Sequence, residues 1–263
     1  MIRKTLHIAP IVLVPVLLLA ALGFAVSSNK KQPCLQLMVS VQNSNENQFV
    51  DAEGLKNEIV ERISSIEGHP VRGSILKQIR EVVNQNPWVK RSSVYRTIDG
   101  NVNVEVTQRV PLFRVVTAHN HGYYIDVDGR AMPLSNNYTA RVVIAGGNIF
   151  SGYSTNLDLT EVNNSKDATS NEKLLADLFK LVNFISQNKF WNAFIDYIHV
   201  KPGNRFELTP KNGAHVVEFG SIDRMEQKFQ KLKTFYLNAI STVGWDKYGK
   251  INLQFKNQIV CSK

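Results

Sequence analysis

A run of nineteen residues without a formal charge, Ile8 to Val26 (IAPIVLVPVLLLAALGFAV), constrains this chain more than any other feature. At about 1.5 Å of rise per residue, a helix of that length matches the roughly 30 Å hydrocarbon core of a bilayer. Pro10 falls in the first turn, where its missing donor matters little, and Pro15 is tolerated better in a membrane helix than in a soluble one. Arg3, Lys4 and the terminal amine precede the run, so residues 1–7 are expected in the cytoplasm and the rest of the chain, beyond 8–26, outside it. Lys30 and Lys31 argue weakly the other way. Small residues at Gly23, Ala25 and Ser27 also fit the cleavage site of a signal peptide, but the apolar core of such a peptide is shorter, about 7 to 15 residues. An uncleaved anchor is expected.

The remainder has the composition of a folded protein, with 43% hydrophobic and 20% charged residues in the chain as a whole. Its formal net charge is +9, and removing Arg3 and Lys4 lowers this only to +7. The lysines and arginines are spread along the chain instead of being concentrated among aromatics, which argues against nucleic acid as a partner and for a basic soluble surface. Cys34 and Cys261 stand at opposite ends of the soluble part and make no disulfide framework. No CxxC or Cys/His cluster points to a metal.

From Cys34 onward the pattern reads β-α-α-β-β. Leu35, Leu37, Val39 and Val41 alternate with Gln36, Met38, Ser40 and Gln42, the period of a half-buried strand. Asp51 is a candidate N-cap for a helix whose apolar face is Leu55, Ile59, Ile63 and Ile66, ended by Gly68 and Pro70. A second helix starts near Ser74, uses Ile75, Ile79, Val82 and Val83, and closes at Asn86-Pro87. Val89–Ile98 and Asn101–Val110 then read as strands joined at Asp99-Gly100, with both turn positions expected at positive φ.

Beyond about Thr117 strands and helices are interspersed. Tyr123–Val127 and Ala131–Leu134 flank an Asp128-Gly129 turn, and Arg141–Ala145 is a short strand. Thr169 and Glu172 form a capping-box pair that starts a helix with Leu174, Leu175, Leu178, Leu181, Val182 and Ile185 on one face. Ile195–Val200, Arg205–Thr209 and His215–Phe219 follow as strands. Ser221 is expected to cap a last helix that turns Ile222, Met225, Phe229, Leu232, Phe235, Tyr236 and Ile240 inward and Lys228, Lys231 and Lys233 outward. Tyr248–Phe255 is expected as the final strand, with Gln258–Cys261 extending its apolar character.

No catalytic constellation emerges. His119-Asn120-His121 lies in a polar turn without a third ligand. Asp126-Val-Asp128-Gly129 resembles a calcium loop only superficially, because its glycine comes too early and the glutamate is missing. Gly146-Gly147 lacks the Lys-Ser/Thr of a phosphate loop. There is no GxSxG, and Ser-x-x-Lys matches such as Ser74 to Lys77 lack the Lys-Thr-Gly that would accompany them. Hence no enzyme, cofactor, metal or small-molecule substrate is expected. Trp88 is read as packing over a helix end, and Arg109 as a solvated strand residue.

Two stretches resemble known modules. The element order, the NPWV exit at Asn86–Val89 and the strand ending Val104–Pro111 (VEVTQRVP) resemble a POTRA domain, with Gln108 where an acidic residue is more usual. Phe206–Gly213 (FELTPKNG), Val217–Gly220 (VEFG), the Lys-rich helix and Ile251–Val260 (INLQFKNQIV) resemble the β domain of the FtsQ/DivIB family. With the anchor, the likeness covers essentially the whole chain. It implies an α+β architecture: a transmembrane helix at 8–26, a POTRA-like domain at 34–116, and at 117–263 a second mixed domain with an antiparallel sheet covered by helices.

The resemblance also implies a bitopic inner-membrane division protein, with the bulk of the chain in the periplasm, linking early and late components of the division machinery. Its POTRA domain would serve recruitment. Its terminal strands would bind a bitopic partner of the FtsB/FtsL type that adds a strand to the sheet edge. By position in the motif this places the partner site on Phe255, Lys256, Asn257, Gln258, Ile259 and Val260. The competing expectation is a periplasmic POTRA protein of outer-membrane assembly or secretion, which should carry repeated POTRA units or a long series of barrel strands.

Overall fold

The computed structural model describes residues 15–17, 19–20, 33–42, 47–64, 66–162 and 167–263. Residues 15–17 and 19–20 are helical, with Val16, Leu17 and Leu19 exposed. No helix among the described residues is long and apolar enough to cross a membrane; most of the anchor expected at 8–26 lies outside them. The chain divides into two compact units, residues 1–108 and 109–263.

The first unit holds β1 (Leu37–Gln42), α1 (Ala52–Arg62), α2 (Gly73–Gln85), β2 (Val89–Arg96) and β3 (Val102–Gln108), in the order expected. The sheet order is β1-β3-β2, with β1 parallel and β2 antiparallel to the central β3. Asp51 caps α1 by accepting from Gly54 N at 2.6 Å. Leu55 and Ile59 of α1 and Ile79 and Val83 of α2 pack with Val102, Val104 and Val106 of β3 in one core. Trp88 is half-buried against that core, as expected for an aromatic at a helix exit. The β2–β3 turn differs from expectation: Gly100 alone takes positive φ (92°), its N–H donating to Thr97 O, while Thr97 N–H donates to Asn101 O. That makes a longer loop with its glycine at the bulge position, which leaves Asp99 in ordinary backbone space.

Gln108 continues the inward series of β3 and is fully buried. Its Oε1 accepts from Val50 N at 2.8 Å, and its Nε2 donates to Asn47 O at 2.9 Å and toward Gln42 O at 3.5 Å. An ionised carboxylate could accept the first bond but could not donate the others. The amide is thus matched to this site, where it ties the β1–α1 connection to β3.

The second unit is built on a nine-stranded sheet, ordered β12-β11-β10-β9-β8-β7-β4-β5-β6. Its elements are β4 (Pro111–Val116), β5 (Gly122–Asp126), β6 (Ala131–Pro133), β7 (Val143–Gly147), α3 (Ser170–Gln187), α4 (Lys189–Phe194), β8 (Ile195–Lys201), β9 (Arg205–Pro210), β10 (Val216–Gly220), α5 (Met225–Phe235), a π-helical turn (Tyr236–Ile240), α6 (Ser241–Val243), β11 (Lys250–Asn252) and β12 (Val260–Ser262). Pro111–Val116, counted with the first domain in the sequence, hydrogen-bonds to β5 and β7, so it belongs to the second sheet. The sheet is mixed where an antiparallel one was expected: β4–β7, β7–β8 and β10–β11 are parallel. A parallel pair needs a long crossover, and the helices between β7 and β8 and between β10 and β11 supply two of them.

One core joins the sheet to α3, α4 and α5, with Phe184 of α3 stacked on Phe229 of α5 at 4.9 Å. The capping box of α3 is complete: Thr169 Oγ1 accepts from Glu172 N, and the Glu172 carboxylate accepts from Thr169 N at 2.8 Å. Arg109 is not solvated. It donates to Asp126 Oδ2 at 2.9 Å, while Asp126 Oδ1 accepts from Asp128 N and Arg130 N and so organises the β5–β6 turn. Burial holds the Asp126 carboxyl above its ordinary value, against the lowering by the Arg130 N–H and the Arg109 guanidinium.

Candidate functional site

The carboxyl-terminal rim of the second sheet follows from the last crossover. After β10 the chain passes through α5, the π-turn and α6 before returning as β11, parallel to β10. It then reverses through residues 253–259 to give β12, paired antiparallel through Lys250↔Ser262, Ile251↔Cys261 and Asn252↔Val260. Among the described residues no strand lies beyond β12. An edge of this kind presents main-chain N–H and C=O groups to whatever extended chain approaches.

The six residues assigned by motif position fall on this rim, though not in one strand. The strand expected over Tyr248–Phe255 is reduced to Lys250–Asn252: Leu253 N still donates to Glu218 O of β10, and the chain then turns where Asn252 Oδ1 accepts from Gln254 N. Phe255, Lys256, Asn257 and Gln258 are exposed in the connecting loop. Ile259 is half-buried and packs on the core, whereas Val260, in β12, is 41% exposed. Cys261 turns back toward the core, and the strand continues to Ser262. Both cysteines are free, and burial raises the Cys261 thiol above its ordinary value.

The last helix meets this loop with cations that were expected to point outward. Lys228 is fully buried, its Nζ donating to Ser221 O at 2.7 Å and lying 4.8 Å from the Phe219 ring centre. Lys231 Nζ reaches Phe255 O at 2.6 Å, Gln258 O at 3.2 Å and Leu253 O at 3.5 Å. Burial lowers both ammonium groups from their ordinary values, with the Arg224 charge adding to the effect. Ser221 does not cap the helix: it donates to Asp223 Oδ2, and left-handed Arg224 (φ 55°) stands immediately before Met225. The chain needs that turn to leave β10 and climb onto the sheet. Beside the loop runs a groove of about 570 Å³ lined by Gln227, Gln230, Thr234, Phe235, Asn238 and Ile259, among others.

The motifs set aside in the sequence have structural uses. A Cβ at Gly146 would meet Tyr197 Oη at 2.5 Å, and one at Gly147 would meet Val200 O at 2.5 Å, so the pair permits close approach of β7 to β8. His121 N–H donates to Thr117 Oγ1 in the β4–β5 turn, where Asn120 takes positive φ (61°). Lys231 and Lys228 carried no signal in the sequence beyond their spacing, since that spacing does not distinguish a solvated cation from one aimed at main-chain carbonyls.

Comparison with known proteins agrees with this geometry. Residues 32–107 match a POTRA-like domain, and residues 110–262 match the family described as FtsQ/DivIB, C-terminal related. A relative from Geotalea daltonii, named cell division protein FtsQ, is 22% identical over 210 residues, covering 79% of this chain and 70% of its own length. With a POTRA-like match followed by an FtsQ/DivIB match that covers more than half of its residues, the chain belongs to the FtsQ/DivIB family.

Proposed function

We propose that this protein is a bitopic inner-membrane scaffold of the cell-division machinery, which holds other division proteins together and catalyses nothing. Residues 8–26 anchor it, the amino-terminal tail of residues 1–7 is cytoplasmic, and the bulk of the chain is periplasmic. The POTRA-like unit serves recruitment. The second unit binds a bitopic protein of the FtsB/FtsL type, whose extended segment adds to β12 across Phe255, Lys256, Asn257, Gln258, Ile259 and Val260.

The edge of β12, which pairs with no further strand among the described residues, carries this reading. Strand addition draws affinity from main-chain bonds and specificity from alternate side chains, and Val260 presents such a side chain beside the edge. Family membership and the name of the Geotalea relative support a place in division. A single POTRA-like match followed by an FtsQ/DivIB match does not favour the outer-membrane assembly reading, which calls for repeats or a barrel.

The test is Val260→Pro in the full-length chain, assayed by crosslinking and pull-down of the FtsB- and FtsL-type proteins from dividing cells. Proline at 260 removes the donor by which β12 pairs with Asn252 of β11, so the strand that offers the edge is loosened and capture should fall by about tenfold or more. Unaltered capture sinks the strand-addition reading.

A further inference from the structure

The loop between β11 and β12 is held from the side by cations. Of its carbonyls, Leu253, Phe255 and Gln258 converge on the Lys231 ammonium, and Gln254 O lies 3.5 Å from the Arg224 guanidinium. An ammonium has three donors, so Lys231 matches its three acceptors in number. The sequence separations of 22, 24 and 27 residues mean that one side chain on the crossover helix gathers three points along the loop. The strands on either side are short: β11 and β12 pair through three residues each. A ladder of that length is weak support for a seven-residue connection (253–259), and strands this short rely on what surrounds them.

We propose that Lys231 is the positioning residue of the partner-binding rim: by clamping the carbonyls of Leu253, Phe255 and Gln258, it presets the course of residues 253–259 and the register in which β12 meets β11. The proposal rests on the reading of β12 as the edge to which the partner adds. Without the clamp the loop samples many courses, and their lost entropy is subtracted from the binding free energy when the partner orders them. With it, the rim has its bound shape before the partner arrives. Lys228, three residues earlier, does the corresponding work at Ser221 O, deeper in the fold, so the two lysines differ in what they hold: one the start of the crossover, the other the loop that follows β11.

The decisive comparison uses full-length protein in detergent: wild type, Lys231→Met, Lys231→Arg and Val260→Pro. The probe is the purified periplasmic segment of the same organism's FtsB-type protein. Lys231→Met keeps the aliphatic stem and deletes the charge. Amide exchange across 253–262 should speed up by about tenfold with exchange in β8 and β9 unchanged, and affinity for the probe should fall by about tenfold. Lys231→Arg should recover most of both.

Unchanged exchange in the Met variant overturns the proposal, and so does faster exchange with wild-type affinity. Faster exchange throughout β8 and β9 makes Lys231 a general stabiliser and also overturns it, as does an Arg variant no better than Met. If Val260→Pro abolishes binding while Lys231→Met binds like wild type, the clamp fails and the edge reading stands. If both variants bind like wild type, the edge reading falls and the clamp's role in binding falls with it.

Discussion

His215 is 1% exposed, its Nε2 lies 2.8 Å from Tyr236 Oη, and its ring stacks on Trp245 with centroids 6.2 Å apart. Burial pushes its imidazole below the ordinary value, against the opposing pull of Asp246 and the Trp245 main chain. The consequence for stability follows from proton counting. As pH falls through the ordinary imidazole range near about 6.5, the unfolded chain takes up a proton that the folded chain refuses, so stability is full above that range and declines below it. The decline continues until the folded imidazole itself titrates. Urea unfolding of wild type and His215→Phe at pH 8 and pH 5.5 should show a smaller loss on acidification in the variant, which keeps an aromatic ring without the titrating nitrogen. Equal losses would remove His215 as the cause.

Among the elements, β7 depends on how closely it can approach β8. Gly147 has φ 99°, and an added Cβ would sit 2.5 Å from Val200 O, a main-chain atom that cannot swing aside. Gly147→Ala should therefore cost at least about 2 kcal/mol in urea unfolding, from backbone strain together with overpacking. Gly152→Ala is the control, since nothing lies within 4 Å of its Cβ position and its backbone is ordinary. A Gly147→Ala variant as stable as that control would show that β7 and β8 can separate without loss. The π-turn at Tyr236–Ile240 lies within the last crossover, and both of its end residues are buried, Tyr236 at 4% and Ile240 at 1%. Its wider turn brings Tyr236 to His215 while Ile240, at the other end of the same turn, stays in the core.

For the whole molecule, the proposed scaffold works only if the apolar run at 8–26 is kept. Intact-mass measurement of protein extracted from membranes should give the full chain, and a mature start near Val26 would replace the anchor with a cleaved signal. Much of the architecture is legible in the residue pattern. The β-α-α-β-β order, the Asp51 cap and the Thr169/Glu172 capping box are readable because each rests on apolar periodicity or on bonds between residues three apart. Motif position puts the expected partner site on Phe255 to Val260, of which the fold places Val260 in β12 and the others in the loop before it, and the strand expected over Tyr248–Phe255 shrinks to three residues.

What only the tertiary structure decided is what the long polar side chains meet. Amphipathic spacing marks which face of α5 is apolar, but Lys228 and Lys231 stand where their stems follow that face and their ammonium groups find carbonyls far away in sequence. Gln108 likewise finds Val50 N and Asn47 O across separations of 58 and 61 residues. Parallel pairing of β10 with β11 was equally hidden, because alternation along a strand records burial and carries no mark of the neighbour's direction. The apolar run at 8–26 and the element order of the first unit are thus properties of the sequence alone. The rim's course is decided by the fold, because the contacts that hold it join residues brought together only when the crossover packs onto the sheet.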